Sequence, residues 1–113
     1  MGLHLTMFSS SIMAFCDEEQ RKTWIPLIEN FSILGCYAQT EMGHGSDVAN
    51  LETTATYDKG KDEFVINTPN IKATKWWPGD MGRFANYALV FARVKIPDDD
   101  GTVNDYGIAP FIV

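Results

Sequence analysis

At Ile33 the vocabulary of the chain changes. Before it, apolar residues recur at helical spacing; after it they come in short runs of β-branched and aromatic residues, which suit a pleated, half-buried surface. This shift is the best internal boundary, and it restricts the fold to a helical lead followed by a β-domain. Leu3, Leu5, Met7, Phe8, Ile12, Met13 and Phe15 predict a mostly buried helix over 3–15. Asp17, with Gln20 three residues on, has the form of a capping box and predicts a second helix carrying Trp24, Ile25, Leu27 and Ile28. Pro26 is expected to distort or end that helix, and helical character to stop by Asn30. Strands are predicted near 33–38, 51–58, 63–68, 71–76, 86–95 and 107–112. Asp58-Lys-Gly-Lys-Asp62 reads as a hairpin turn, and the segment from Pro97 to Thr102 as a solvated loop.

With 113 residues the chain is one domain at most, and it should bury roughly 65% of its extended surface. A content of 45% hydrophobic and 21% charged residues excludes general disorder. Nine Lys and Arg against fifteen Asp and Glu give a net charge of −6, which argues against nucleic acid as a partner. It does not exclude a nucleotide cofactor, because backbone amides and hydroxyls can hold phosphates without a basic patch. Cys16 and Cys36 match no metal spacing and make no disulfide framework, so a reducing compartment fits best. The opening Met1-Gly-Leu-His-Leu-Thr-Met-Phe8 has no basic n-region, and no apolar run is long enough for a membrane helix. Pro110-Phe-Ile-Val113 is not a Ser-Lys-Leu address and stops inside an expected strand, so the chain reads as truncated.

Two polar, glycine-bearing loops flank the middle strands. The first runs Cys36-Tyr-Ala-Gln-Thr-Glu-Met-Gly-His-Gly-Ser-Asp47 and the second Lys75-Trp-Trp-Pro-Gly-Asp80. Thr40 and Ser46 offer hydroxyls, Glu41 a carboxylate, and Gly43 and Gly45 let backbone N–H groups approach a ligand. The second loop adds two indoles, which as strand neighbours should point to opposite faces. Such a pair of loops suits a flat cofactor with a polar edge. The first is neither a dinucleotide fingerprint nor a P-loop, and in isolation a threonine at a strand end is a cap and a glycine pair a tight turn. His4 and His44 have no metal-ligand spacing and no nucleophile at a recognised distance, so structural or solvent-facing roles are expected. No metal site is expected.

Taken together, the two loops, their separation and the intervening Leu51-Glu-Thr-Thr-Ala-Thr-Tyr57 resemble the peroxisomal acyl-CoA oxidases of the acyl-CoA dehydrogenase superfamily. The related loop of that family reads Tyr/Cys-x-x-Thr-Glu-x-Gly-x-Gly-Ser-Asp. The resemblance covers essentially the whole chain. It implies an α+β fold: residues 1–31 as the end of an N-terminal helical domain, and 32–113 as a truncated middle β-domain, an incomplete antiparallel Greek-key sheet resembling a barrel. It implies FAD as cofactor, with Thr40, Trp77 and Gly79 at the flavin and Ser46 at the acyl-CoA. Trp76 is then the better candidate for core, and Glu41 orients the loop rather than acting as base. Gly79 stands where dehydrogenases carry a threonine at the flavin N5 edge; the smaller residue is expected to let oxygen reach reduced flavin.

By the same resemblance the reaction is fatty acyl-CoA to trans-2-enoyl-CoA, with O2 reduced to H2O2, in peroxisomal β-oxidation by a homodimer. The glutamate that removes the α-proton belongs to a C-terminal helical domain, so no residue here is expected to be catalytic and the chain alone should be inactive. Two other readings stand beside this one. The chain could be a non-catalytic β-domain that binds a protein partner, such as an oxidase subunit, through an open sheet edge, or a fragment with no separate activity.

Overall fold

The computed structural model describes residues 7–45, 47–76 and 85–113. Two helices lead. Helix α1 spans Ser9–Phe15 and buries Ser11 and Ile12. Helix α2 spans Glu18–Glu29 and starts at the expected capping box: the Asp17 carboxylate accepts from the Gln20 N–H at 2.8 Å, and the Gln20 side chain accepts from the Asp17 N–H at 3.0 Å. Two of the helix's orphan donors are thereby satisfied. Glu18 and Glu19 place negative charge at the positive end of the helix dipole. Pro26 does not end the helix, which continues to Glu29 and closes at Asn30. The ring removes one backbone donor, and the turn beyond it is held by the Asn30 N–H donating to the Pro26 carbonyl at 3.1 Å.

Five strands follow: β1 Gly35–Ala38, β2 Thr54–Asp58, β3 Glu63–Asn67, β4 Tyr87–Pro97 and β5 Val103–Ile112. Strands β2 and β3 form the expected antiparallel hairpin, with Thr54 opposite Asn67 and Asp58 opposite Glu63. The sheet as a whole is mixed, not antiparallel as expected. Strand β1 runs parallel to β4, from Gly35 beside Tyr87 to Ala38 beside Val90, and β2 runs parallel to β4, with Thr54 beside Arg93 and Thr56 beside Lys95. Parallel neighbours need long connections between them, and the chain supplies these through its loops and the β2–β3 hairpin. Strand β5 also pairs with β4, and the path β1-β4-β2-β3 does not close.

No strand forms over 71–76. Ile71–Ala73 is a 3₁₀ turn, capped by the Asn70 side chain, which accepts from the Ala73 N–H at 3.1 Å. An asparagine that bonds the backbone three residues on competes directly with a sheet ladder. A second 3₁₀ turn, Val48–Asn50, precedes β2.

The chain divides into two compact units, the described residues of 1–38, 77–90 and 112–113 forming one and those of 39–76 and 91–111 the other. In the first, Phe8, Ile12, Ile28, Ile33, Cys36, Ala38, Leu89 and Val90 are buried, and Trp24 meets Tyr87 edge-on at 5.8 Å between ring centroids. In the second, Leu51, Ala55, Ala73, Phe91 and Ala92 are buried. Tyr57, Phe64 and Phe111 make a row of tilted rings with centroids 5.3 and 5.1 Å apart. Among the described residues no helix is long and apolar enough to cross a membrane.

Candidate functional site

Thr40 follows β1, where the chain leaves the ladder and folds into a tight loop. The loop is locked from within: Glu41 makes single bridges to His44 and to Lys75, and the His44 N–H donates to the Glu41 carbonyl at 3.1 Å. It is locked from outside as well. The Met42 N–H donates to the Thr74 carbonyl and the Gly43 N–H to the Lys72 carbonyl, both at 2.9 Å. The Trp76 N–H donates to the Thr40 carbonyl at 2.8 Å. The beginnings of the two polar loops seen in the sequence are therefore laid side by side along their backbones.

At the centre of this contact lies Glu41, whose side chain is fully buried. Its Oε1 accepts from the Glu52 N–H at 2.7 Å; its Oε2 accepts from the Thr53 N–H at 2.9 Å and from the Lys75 ammonium at 3.2 Å. Lys75, itself nearly buried, also donates to the Gln39 carbonyl at 2.9 Å. The Thr53 hydroxyl donates to the Ala73 carbonyl at 3.0 Å. Burial pushes the Glu41 carboxyl up, but the Glu52 and Thr53 N–H groups and the Lys75 ammonium together hold it below its ordinary value. Burial likewise pulls the Lys75 ammonium down, against the pull of Glu41. Glu41 is thus held ionised as a structural acceptor, not poised as a base.

Thr40 is half-buried, and among the described residues nothing hydrogen-bonds its hydroxyl. A donor fixed at its backbone and available at its side chain suits the polar edge of a flavin ring. Trp76 does not behave as core, being 50% exposed. Its N–H is used by Thr40, so its position is set by the backbone rather than by burial of the indole. Gly43 departs from its expected role too. Its N–H is spent on Lys72 inside the protein, and an added Cβ would lie 2.9 Å from the Lys72 Cβ. Close packing against Lys72 requires a glycine here. Gly45 has open space around its Cβ position.

His44 is structural: its Nε2 lies 2.7 Å from Glu52 Oε2. The imidazole contact is the main cause holding the Glu52 carboxyl below its usual range. No cluster of His, Cys, Asp or Glu among the described residues could hold a metal ion. Ser46, Trp77 and Gly79, the other expected contacts, lie outside the described residues, as does His4. Lys75, Thr53 and the Glu52 amide were not singled out from the sequence. Only the placement of Glu41 in the best motif pointed toward them.

Comparison with known proteins decides the family. Residues 36–113 match the family described as acyl-CoA dehydrogenase, middle domain, and residues 1–34 the one described as acyl-coenzyme A oxidase N-terminal. The chain belongs to the family of the acyl-CoA dehydrogenase middle domain. Peroxisomal acyl-coenzyme A oxidase 1 of Arabidopsis thaliana is 50% identical over 113 residues, all of this chain and 16% of that protein. The solved structure of Arabidopsis thaliana acyl-CoA oxidase 1 superposes with a TM-score of 0.89 at 51% identity, over 98% of this chain and 16% of that one. Acyl-CoA oxidase-1 of Caenorhabditis elegans, complexed with FAD and ATP, superposes with a TM-score of 0.90 at 47% identity, over 100% of this chain and 16% of that one. The chain therefore spans about a sixth of the length of the oxidases it matches.

Proposed function

We propose that this chain is the segment of a flavin-dependent acyl-CoA oxidase that contributes contacts to FAD and acyl-CoA, in the peroxisomal oxidation of fatty acyl-CoA to trans-2-enoyl-CoA with reduction of O2 to H2O2. Residues 1–31 are the end of its helical domain and 32–113 its middle β-domain, the described sheet being part of a Greek-key barrel-like whole. FAD, when bound, supplies the hydride acceptor and the place where oxygen is reduced. This chain's own part is to bind and orient. Thr40 would donate its hydroxyl to the bound flavin, Trp77 and Gly79 would be its other contacts, Gly79 leaving room for oxygen, and Ser46 would hydrogen-bond the acyl-CoA. The α-proton is removed by a glutamate of a separate helical domain, so the segment alone is inactive. The intact enzyme is a homodimer.

The observation that carries this reading is the half-buried, available hydroxyl of Thr40 on a backbone fixed against Trp76. Preorganised donors of this kind are what a cofactor site needs. FAD binding by a matched oxidase of Caenorhabditis elegans supports it. Titrating FAD into the purified protein, followed by flavin fluorescence and the visible absorption band, tests it. Saturable quenching that Thr40→Val and Trp77→Ala each weaken is the expected result. A folded protein that leaves the flavin signal unchanged would remove the segment as a cofactor-binding element.

A further inference from the structure

A buried ion pair is a weak device for stability, because the desolvation of two charges offsets their attraction, and apolar residues of similar volume are often as good or better. Glu41 and Lys75 therefore call for another account. Their geometry gives one. Lys75 reaches the carbonyl of Gln39 on one side of Thr40 and the carboxylate of Glu41 on the other. Thr40 is bracketed by a single ammonium group. The carbonyl of Thr40 receives the N–H of Trp76, the residue after that same lysine. Both oxygens of Glu41 are anchored to the Glu52 and Thr53 amides at the entrance to β2, so the bracket is referred to the sheet rather than left to float. Within the bracket the Glu41 side chain is fully buried and that of Lys75 nearly so.

We propose that Glu41 and Lys75 form a positioning pair that fixes the Thr40 hydroxyl for flavin binding, acting on the cofactor only through Thr40. This rests on the reading of Thr40 as a flavin contact. The pair is not catalytic. It removes conformations of the Gln39–Met42 backbone that would otherwise have to be excluded at the moment of binding, which is the cost that preorganisation lowers.

The test separates position from stability. Glu41→Leu/Lys75→Met replaces the pair by apolar side chains, and Lys75→Arg keeps the charge and the donors. For each, the urea midpoint, FAD affinity and amide exchange at Met42 and Trp76 are measured. The double variant is expected to unfold near the wild-type midpoint, to bind FAD roughly ten-fold or more weakly, as when partners that orient a ligating group are lost, and to exchange the Trp76 amide faster. Lys75→Arg should recover most of the affinity. A double variant that binds FAD like wild type, or whose affinity falls only in step with its midpoint, overturns the proposal. A wild-type chain that takes up no FAD overturns the reading of Thr40 instead; exchange alone then decides whether the pair fixes Thr40, and unchanged exchange at Met42 and Trp76 refutes it.

Discussion

Gly35 lies directly over the ring of Phe8. A Cβ at Gly35 would fall 2.1 Å from the Phe8 Cγ and 2.2 and 2.3 Å from the two flanking carbons. Phe8 is fully buried, so its ring cannot swing into solvent to make room. Gly35→Ala should therefore destabilise by overpacking, by about 1–3 kcal/mol in a urea titration. The same substitution in a Phe8→Leu background should cost less, since the two residues are in contact and their effects couple. Equal cost in both backgrounds would show that the clash is relieved by backbone movement.

The capping box gives a second prediction, on local structure alone. Asp17→Ala removes the acceptor for the Gln20 N–H and should cost about 1 kcal/mol. Gln20→Ala should cost less, because the Asp17 carboxylate would still cap the helix. Far-UV circular dichroism should show the loss in helix content, and thermal melts the loss in stability. Equal melting temperatures for wild type and Asp17→Ala would contradict it.

Both features bear on how far the sequence could be read. The capping box and the β2–β3 hairpin were legible because their partners lie within a few residues of each other, so local chemistry decides them. The parallel pairing of β1 and β2 with β4 was not, since it depends on contacts between distant segments that no local pattern encodes. The apolar Ile71 and the indoles after Lys75 suggested a strand; the Asn70 side chain, bonding Ala73, turned the segment into a 3₁₀ turn. At the site, Thr40 and Glu41 were visible through the motif around them. Lys75 was visible only as an ordinary lysine, because its meaning lies in Gln39 and Glu41, far away in the chain.

Arg93 holds the approach to β2. Its Nε donates to the Leu51 carbonyl at 3.1 Å, its Nη2 to the Ala49 carbonyl at 2.7 Å, and its Nη1 to Asp105 at 3.1 Å. Lysine cannot reproduce a planar fork that meets three acceptors. Arg93→Lys should cost about 1–3 kcal/mol and speed exchange of the Asn50 and Leu51 amides, which close the 3₁₀ turn. Asp105→Asn should have a smaller effect on that turn, because Arg93 would keep both carbonyls. Unchanged exchange in Arg93→Lys would show that the turn holds without the guanidinium.

The Glu41–Lys75 pair makes stability depend on pH in a direction that can be worked out. Burial pushes the Glu41 carboxyl up, but its hydrogen bonds and Lys75 outweigh this and hold it below the ordinary 4.5. A group whose folded value lies below its unfolded one contributes stability that is present above the unfolded value and lost as pH falls through the folded value. For Lys75 burial dominates and holds the ammonium below the ordinary 10.5. The unfolded chain then binds the proton more tightly, so stability should rise as pH climbs from the folded value toward the unfolded one. Glu41→Gln should accordingly lose most relative to wild type near neutral pH, and the gap between their urea midpoints should narrow in acid, below the ordinary carboxylate value. Lys75→Met removes a partner from a buried pair and should cost about 3 kcal/mol near neutral pH, the low end of the range for such losses because two amides still hold the carboxylate. It should also lack the alkaline rise. Midpoint curves for wild type and Glu41→Gln that run parallel from neutral pH into acid would mean that the carboxyl titrates as an ordinary surface group.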